Sequence, residues 1–229
     1  MSLCNDKSSD EVLLQNGVRL ISEHREDAAI RRCFDTVINR NGDPSSGNVY
    51  CTRSLAETVY YMALAASQGR EAAAIDPYWS DAYFFKGYAL FELGRTADAR
   101  RSLESALMLS PRNSMYLCEL ATTYQSDKDF ERALQLFADA EKATDLAPDA
   151  VKAKEKGHAL RGQGFSLTEL NRLDEAEAKY REALRIDSSD ANATRELAYI
   201  KQLRETGRQI PGGLINRQGE ITPPNPGRP

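Results

Sequence analysis

The chain has 229 residues, with 30 Lys and Arg, 34 Asp and Glu, and a formal net charge of -4. This mildly acidic balance gives no long-range attraction to phosphate backbones, so general nucleic-acid binding is disfavoured. The longest apolar run, Val59 to Ala66, is shorter than the roughly 20 residues that a membrane-spanning helix needs. The composition therefore predicts a soluble, acidic chain that is long enough to bury a sizeable core.

Residues 1–9 are mostly polar and are predicted to be flexible. No cationic start is followed by an apolar stretch, so the default expectation is a cytoplasmic protein. Met1 to Leu3 could instead be an expression leader. Cys4 would then be the first native residue, and it is followed by a polar run that looks like the start of a mature bacterial lipoprotein. A periplasmic or membrane-anchored lipoprotein is therefore kept as the alternative.

The four cysteines lie far apart in the sequence, and only two histidines accompany them: Cys4, Cys33, Cys51, Cys118, His24 and His158. Structural zinc sites draw their four ligands from closely spaced pairs, and no such pair is present. We therefore expect neither a metal nor a cofactor. Cys33 has the character of a small buried hydrophobe. The sequence does not decide whether Cys33 and Cys51 form a disulfide.

The first segment with helical periodicity, residues 10–43, carries small and apolar residues at Leu13, Gly17, Leu20, Ala29 and Cys33. A turn-rich linker at Pro44 to Asn48 follows it. Residues 54–75 are helical in composition but show no clean repeat. We expect this stretch to bridge the first segment to the rest of the chain.

A shift of 34 residues superimposes the pattern of residues 80–113 on that of residues 114–147. A further shift of 43 residues brings in residues 157–190, and the nine extra residues should lengthen the first helix of this third unit. Each unit reads as two helices. Alanines such as Ala99 and Ala133 recur where the two helices would cross closely, since a larger residue would force the backbones apart.

Residues 191–206 carry Leu197, Ile200 and Leu203 on one face and charges elsewhere. This pattern indicates the capping helix that covers the apolar face of the last unit in a helical array. The tail at residues 207–229 has five prolines and five glycines with almost no apolar periodicity. It is predicted to be disordered.

The repeating pattern resembles the tetratricopeptide repeat (TPR) family, whose 34-residue helix-turn-helix unit conserves small and large residues at fixed positions. Residues 80–113 match best, with Tyr83, Gly87, Leu90, Ala99, Leu103, Ala106 and Pro111. Residues 10–43 are a weaker copy, with Thr36 in place of the second alanine. The resemblance implies an all-α, right-handed α-solenoid of such repeats with a C-terminal capping helix.

In the family that this chain resembles, the second, fifth, ninth, twelfth and thirteenth positions of each repeat face a concave groove. The resemblance implies a partner-binding set of nine residues: Phe84, Tyr88, Phe91, Met115, Cys118, Thr122, Arg161, Phe165 and Thr168. Phe84, Tyr88 and Phe91 would form an apolar patch of a kind that monomers rarely expose, unless the bridging segment or the tail covers it. Charged residues at these positions would orient the partner.

Members that bind chaperone tails hold a carboxylate with Lys, Asn and Arg at fixed inner positions. Here those positions carry Phe84, Tyr88, Thr122, Arg161 and Phe165. They form no cationic clamp, so recognition of acidic chaperone tails is not expected. Whether the tail at residues 207–229 occupies the groove is left open.

No motif for catalysis is present: the chain has no Gly-rich phosphate loop, no GxSxG and no HExxH. His24 and His158 lack a partner motif and are read as surface residues. We therefore predict a non-catalytic interaction module, an adaptor or scaffold that binds a protein or peptide and neither nucleic acid nor a small-molecule substrate. The alternative is an envelope lipoprotein with the same repeats, acting in a secretion, pilus or cell-wall assembly. Partner identity and oligomeric state are left open.

Overall fold

The structure is a computed structural model that describes residues 8–206. It is all-α, as predicted, apart from two three-residue strands. The helices are α1 Asp10–Ser22, α2 Glu26–Ala29, α3 Asp35–Asn41, α4 Leu55–Ser67, α5 Tyr78–Glu92, α6 Thr96–Leu109, α7 Ser114–Ser126, α8 Phe130–Ala143, α9 Asp149–Glu169, α10 Leu173–Ile186 and α11 Ala191–Thr206. The strands are β1 Val49–Cys51 and β2 Ala73–Ile75.

Consecutive antiparallel helices pack in pairs, and the pairs stack in chain order. The buried residues of the repeats form three successive large clusters rather than one central core, and two small clusters lie at the inserted segment, residues 44–77. The first large cluster joins α1, α2 and α3 to α5 and the start of α6. The second joins α5 and α6 to α7, α8 and α9, and the third joins α9 and α10 to α11. This is the quasi-linear packing of a helical solenoid, in which each pair is stabilised by its neighbours.

The turn between the two helices of each pair has a left-handed residue at one equivalent position, the fifteenth of the repeat. These residues are His24 (φ 55°), Gly94 (φ 73°), Lys128 (φ 62°) and Asn171 (φ 58°). A left-handed residue after a helix lets the next amide groups bond back to the last carbonyls. The recurrence places the weak copy at residues 10–43 in register with the other three.

A π-helical turn at Ile30–Phe34 distinguishes the weak copy from the others. A π-turn holds one extra residue in the helix, so every later residue moves by one position. Phe34 and Val37, both fully buried, therefore lie where alignment by sequence alone places Cys33 and Thr36. A Cβ on Gly17 would come 2.3 Å from the Phe34 ring. Gly17 of the weak copy therefore packs closely against a large side chain of the second helix, and that side chain is Phe34.

The bridging segment, residues 54–75, is predicted to be helical and contains one helix and one short strand. Helix α4 ends at Ser67, because Gly69 adopts a left-handed conformation (φ 67°) and the Arg70 amide bonds back to the Ala65 carbonyl. Residues 73–75 then form β2, which pairs in parallel with β1. The alanine-rich composition favours a helix here, but it carries no information about this pairing with residues 49–51.

Helix α9 begins at Asp149, eight residues before the repeat unit at Gly157, so the extra residues lengthen this helix as the register shift predicts. Helix α11 spans the residues predicted to cap the array, and Ala193 and Ile200 are buried against α9 and α10. At the other end, Ser9 caps α1 and the Ser8 carbonyl accepts a hydrogen bond from Arg40, so these two residues have defined contacts. The predicted flexible residues 1–7 and the predicted disordered tail at residues 207–229 lie outside the described residues.

Candidate functional site

Helices α1, α5, α7 and α9 are the first helices of their pairs, and we call the surface made by their predicted groove positions the inner face. Six of the nine predicted site residues are half-buried on this face: Tyr88, Phe91, Met115, Thr122, Arg161 and Phe165. The other three, Phe84, Cys118 and Thr168, are 9%, 1% and 2% exposed. A partner cannot reach these three side chains in this structure, so their place in a binding surface is corrected.

Phe84 is buried because its ring stacks on Tyr116 of the next inner helix, with centroids 5.0 Å apart. The Phe85 ring contacts the Phe84 ring edge-to-face, also with centroids 5.0 Å apart. Phe91 instead packs against the first cluster, on the side of α1. Phe84 and Phe91 therefore belong to different clusters, and they do not join Tyr88 in one exposed aromatic patch.

Cys118 lies within the second cluster. Burial raises the pKa of its thiol well above the usual value, and the nearby carboxylates of Glu119 and Glu155 act in the same direction. Such a thiol stays protonated and unreactive. Thr168 donates a hydrogen bond of 2.9 Å to the Gly164 carbonyl within α9, so its hydroxyl is used inside the helix.

At the third repeat, two half-buried side chains of α9, Arg161 and Phe165, are held on the inner face by contacts with neighbouring elements. Arg161 is paired with Asp190, 2.5 Å away, which anchors α9 to the start of α11. The Phe165 ring contacts Phe130 edge-to-face, with centroids 6.2 Å apart. Gln125 of α7 is at the twelfth position of its repeat, one of the predicted inner positions, although it is not in the partner-binding set. Its side chain donates to the Gly162 carbonyl (3.1 Å) and to Ser166 Oγ (2.9 Å).

The edge of the inner face where α7 begins is closed by the inserted segment, residues 44–77. Arg53 of this segment donates to Glu57 and to Glu155 of α9, each at 2.8 Å, and Glu155 also accepts a hydrogen bond from Ser114. Glu57 and Glu155 are 0% and 3% exposed. Burial lowers the pKa of Arg53, but the two glutamates outweigh it and hold that pKa above its ordinary value.

Three more contacts attach the inserted segment to the loops between repeats. Tyr61 accepts a hydrogen bond from the Arg112 amide at 3.0 Å. Ser54 donates to the Leu146 carbonyl at 2.7 Å, and Ser110 donates to the Cys51 carbonyl. The segment therefore fixes the α6–α7 and α8–α9 loops. Sequence reasoning missed these contacts, because Arg53 and Glu155 are 102 residues apart and neither belongs to a motif.

Next to this cluster, Asp81 of α5 is held by the Tyr116 hydroxyl, which donates to it at 2.6 Å. Burial raises the pKa of the Asp81 carboxyl, although the hydrogen bond from Tyr116 lowers it in part. Tyr116 also shares a 3.0 Å hydrogen bond with Ser80. These groups are satisfied by one another, and they fix the relative position of α5 and α7.

The opposite edge of the inner face is formed by the last residues of α5, α7 and α9, which are Glu92, Ser126 and Glu169. All three are the thirteenth residue of their repeat. Glu92 is exposed and Glu169 is half-buried. Burial raises the pKa of Glu169, although the positive charge of Lys128 in the adjacent turn lowers it in part.

Residues 8–206 contain no cluster of three or more His, Cys, Asp or Glu that could hold a metal ion. His24 is in an exposed turn, 4.0 Å from Glu26, and His158 lies against the Phe137 ring. Cys51 is a free thiol, so it does not pair with Cys33. Within the same residues, no helix combines the length and the apolar character required to cross a membrane.

Comparison with known proteins agrees with this architecture. The profile of the tetratricopeptide repeat matches residues 80–113. The chain is 31% identical over 130 residues to "Heat shock protein sti1 homolog" of Schizosaccharomyces pombe, a match that covers 56% of this chain and 20% of that protein. It is 33% identical over 87 residues to "Protein STIP1 homolog" of Dictyostelium discoideum, which covers 36% of this chain and 14% of that protein. The chain thus spans a fifth or less of these relatives.

A solved structure covers more of the fold. "MamA 41-end" from Desulfovibrio magneticus RS-1 superimposes with a TM-score of 0.57 over 89% of this chain and 88% of that chain. The two sequences are 13% identical, so this likeness bears on the fold alone. The profile match, the helical solenoid and the left-handed turn residue repeated at one position agree with one another. Residues 80–113 therefore match a tetratricopeptide repeat, and the described residues have the fold of a tetratricopeptide solenoid.

Proposed function

We propose that this protein is a non-catalytic interaction module whose inner face binds a segment of a partner protein. The observation that carries the proposal is the ninth position of three successive repeats, where Tyr88, Thr122 and Phe165 stay half-buried while their neighbours are buried. Aromatic side chains that are held by the fold and still reach solvent are the usual anchors of protein interfaces. Concave faces are the surfaces on which repeat proteins bind.

The fixed backbone of this face supports the same function. The inserted segment ties two inter-repeat loops together, and Gln125 joins α7 to α9. A face that keeps its shape loses little conformational entropy on binding, which favours affinity. The partner segment is expected to be extended or helical, with apolar groups placed against Tyr88 and Phe165.

The test is affinity capture from the source cells on the immobilised full chain, with quantification by mass spectrometry. The double variant Tyr88→Ala with Phe165→Ala should reduce recovery of true partners about tenfold, since anchors of this kind each carry more than ~1 kcal/mol. The matched control is Met108→Ala with Ile186→Ala, which removes apolar groups that are 52% and 36% exposed on the outer helices α6 and α10. Equal recovery by the wild type, the folded double variant and the control would refute binding at the inner face.

The lipoprotein alternative depends on Cys4, which lies outside the described residues, and it stays a prediction. So does the expectation that acidic chaperone tails are not recognised. No lysine, and no arginine other than the one paired with Asp190, occupies the predicted groove positions of α5, α7 and α9.

A further inference from the structure

Helix α4 of the inserted segment exposes a side that carries no charge. Its exposed residues are all uncharged, and all but the last are apolar: Leu55, Ala56, Val59, Ala63, Ala66 and Ser67. Leu55 and Val59 are 79% and 61% exposed, the two highest values among the large apolar side chains of residues 8–206. Glu57, the only charged residue of α4, is 0% exposed. The charged outer side that a surface helix normally has is therefore absent from α4.

Polar contacts fix α4 in this orientation. Glu57 accepts hydrogen bonds from the Arg53 amide at 2.6 Å and from the Arg53 guanidinium at 2.8 Å. Tyr61, which is also fully buried, accepts one from the Arg112 amide. A rotation of α4 that buried its exposed side would break these hydrogen bonds, so the fold keeps the apolar side outward. A contiguous exposed apolar surface of this kind marks an interaction site.

Four residues on one side of the helix, Leu55, Val59, Ala63 and Ala66, make up what we call the α4 face. Its large side chains lie in the first half of α4 and its small ones in the second half. When two copies of α4 pack antiparallel about a two-fold axis at the middle of the helix, Leu55 of one copy faces Ala66 of the other. Val59 faces Ala63 in the same way. Each large side chain then meets a small one, which lets the two helices approach closely.

A parallel pair would lack this fit. Leu55 would meet Leu55 at one end and Ala66 would meet Ala66 at the other, which leaves crowding at the first end and a gap at the second. Electrostatics also favour the antiparallel pair, because each helix end then lies beside an end of opposite partial charge. The α4 face has no charged side chain, so two copies meet there without like-charge repulsion. The face is complementary to itself in both shape and charge.

We propose that the α4 face binds a second copy of this chain, with the two α4 helices antiparallel. A helix of 13 residues is about 20 Å long and about 10 Å wide. Two α4 faces therefore bury less than the roughly 800 Å² per partner of a standard interface, and the dimer is expected to be weak, with a micromolar Kd. The inference goes beyond the proposed function, since the inner face takes no part in this contact.

The first test is sedimentation equilibrium of the full chain at concentrations from about 1 to 500 μM, which span a micromolar Kd. The wild type should pass from monomer to dimer over this range. Val59→Glu should raise the dimer Kd by more than about tenfold, because each carboxylate would be buried against an apolar partner. The matched control is Met108→Glu, which adds the same charge at a position of α6 that is 52% exposed and should leave the Kd unchanged.

The second test exchanges the two side chains that are predicted to meet. Leu55→Ala and Ala66→Leu should each raise the dimer Kd, the first by about tenfold, since one leaves a gap and the other crowds the contact. The double variant should return to within about threefold of the wild type, because a leucine again faces an alanine. The two residues are about 16 Å apart along one helix, so their coupling has to arise between copies.

Three results would overturn the inference. They are a wild type that stays monomeric at every concentration, a dimer that forms equally well with Val59→Glu, and effects of Leu55→Ala and Ala66→Leu that simply add. A monomeric wild type with a different captured protein that Val59→Glu loses would assign the α4 face to that protein instead. Tyr88→Ala with Phe165→Ala should leave the dimer Kd unchanged, so failure here and failure of the proposed function are distinguishable. Circular dichroism of each variant shows whether it is folded.

Discussion

The regular repeats and the inserted segment at residues 44–77 are held in place by different kinds of contact. Within the repeats, a small residue of one helix lies under a large residue of the next, as Gly87 lies under Leu103 and Gly164 under Tyr180. The inserted segment is attached by the ion pairs of Arg53 and by hydrogen bonds to loops. Apolar contacts repeat with the sequence period, whereas the polar ones occur once and join residues far apart in the chain.

The difference teaches where each part of the fold is vulnerable. Close apolar packing fails when volume is added, because interiors are dense and adapt poorly. A buried ion pair fails when one partner is removed, because the remaining charge is left without compensation. The following four changes, from the largest expected effect to the smallest, test this contrast.

Arg53→Ala should give the largest loss, about 3 kcal/mol of unfolding free energy, because Glu57 and Glu155 remain buried without their cation. Their side chains are 0% and 4% exposed, against 15% for Arg53. Urea unfolding followed by circular dichroism measures the loss. Arg172→Ala, which breaks a pair that is 41% and 58% exposed, is the control and should change stability little. Equal losses in the two variants would show that the buried cluster does not hold the inserted segment.

Ala99→Leu should cost about 1–3 kcal/mol through overpacking, since Ala99 is fully buried between α5 and α6. Ala133→Leu, at the equivalent and equally buried position of the next repeat, should cost a similar amount. The thermal midpoint of each variant checks the expectation. An unchanged midpoint in either variant would contradict the close crossing of the two helices of that repeat.

Glu196→Gln tests a buried polar group of the capping helix α11. Glu196, a residue of α11, is 8% exposed, and burial raises its pKa from the ordinary value of 4.5 to about 7. The folded protein therefore holds this proton more tightly than the unfolded chain does. Stability from this group is complete below about pH 4.5 and is lost as the pH rises towards 7 and above.

The variant should consequently be more stable than the wild type at pH 8, by roughly 1–2 kcal/mol, with a smaller difference at pH 5. Parallel urea titrations at the two pH values measure the difference in unfolding free energy between the variant and the wild type. The contributions of other titrating groups are the same in both proteins and cancel in this difference. If the difference between the two proteins does not vary with pH, the folded state does not raise the pKa of Glu196.

His24→Gly should give the smallest effect, a gain of about 0.5–1 kcal/mol, because glycine adopts the left-handed conformation of this turn at no steric cost. The second repeat already has Gly94 at the equivalent position, and Gly94→Ala should lose a similar amount. Thermal unfolding of the two variants measures both changes. A loss in His24→Gly would show that the exposed imidazole contributes a contact that outweighs the backbone effect.

Much of the fold could be predicted from the sequence, because the repeat records contacts between neighbouring helices. Gly87 and Leu103 meet across one turn, and residues with this spacing recur in the next units. The candidate site was less predictable. Whether Phe84 or Cys118 faces a groove depends on the residue opposite on the next helix, and Tyr116 covers Phe84 here.

The sequence by itself determined the helical class, the register of the three regular repeats and the capping residues, since these follow from local periodicity in amphipathic helices. Only the tertiary structure decided the π-turn that replaces Cys33 with Phe34, the parallel pairing of β1 with β2, and the attachment of Arg53 to Glu155. These features join residues without a fixed sequence spacing, and their stability depends on the shape and charge of the partner surface. Periodicity specifies which residues a helix turns inward, and the neighbouring elements decide which of those stay in reach of a partner.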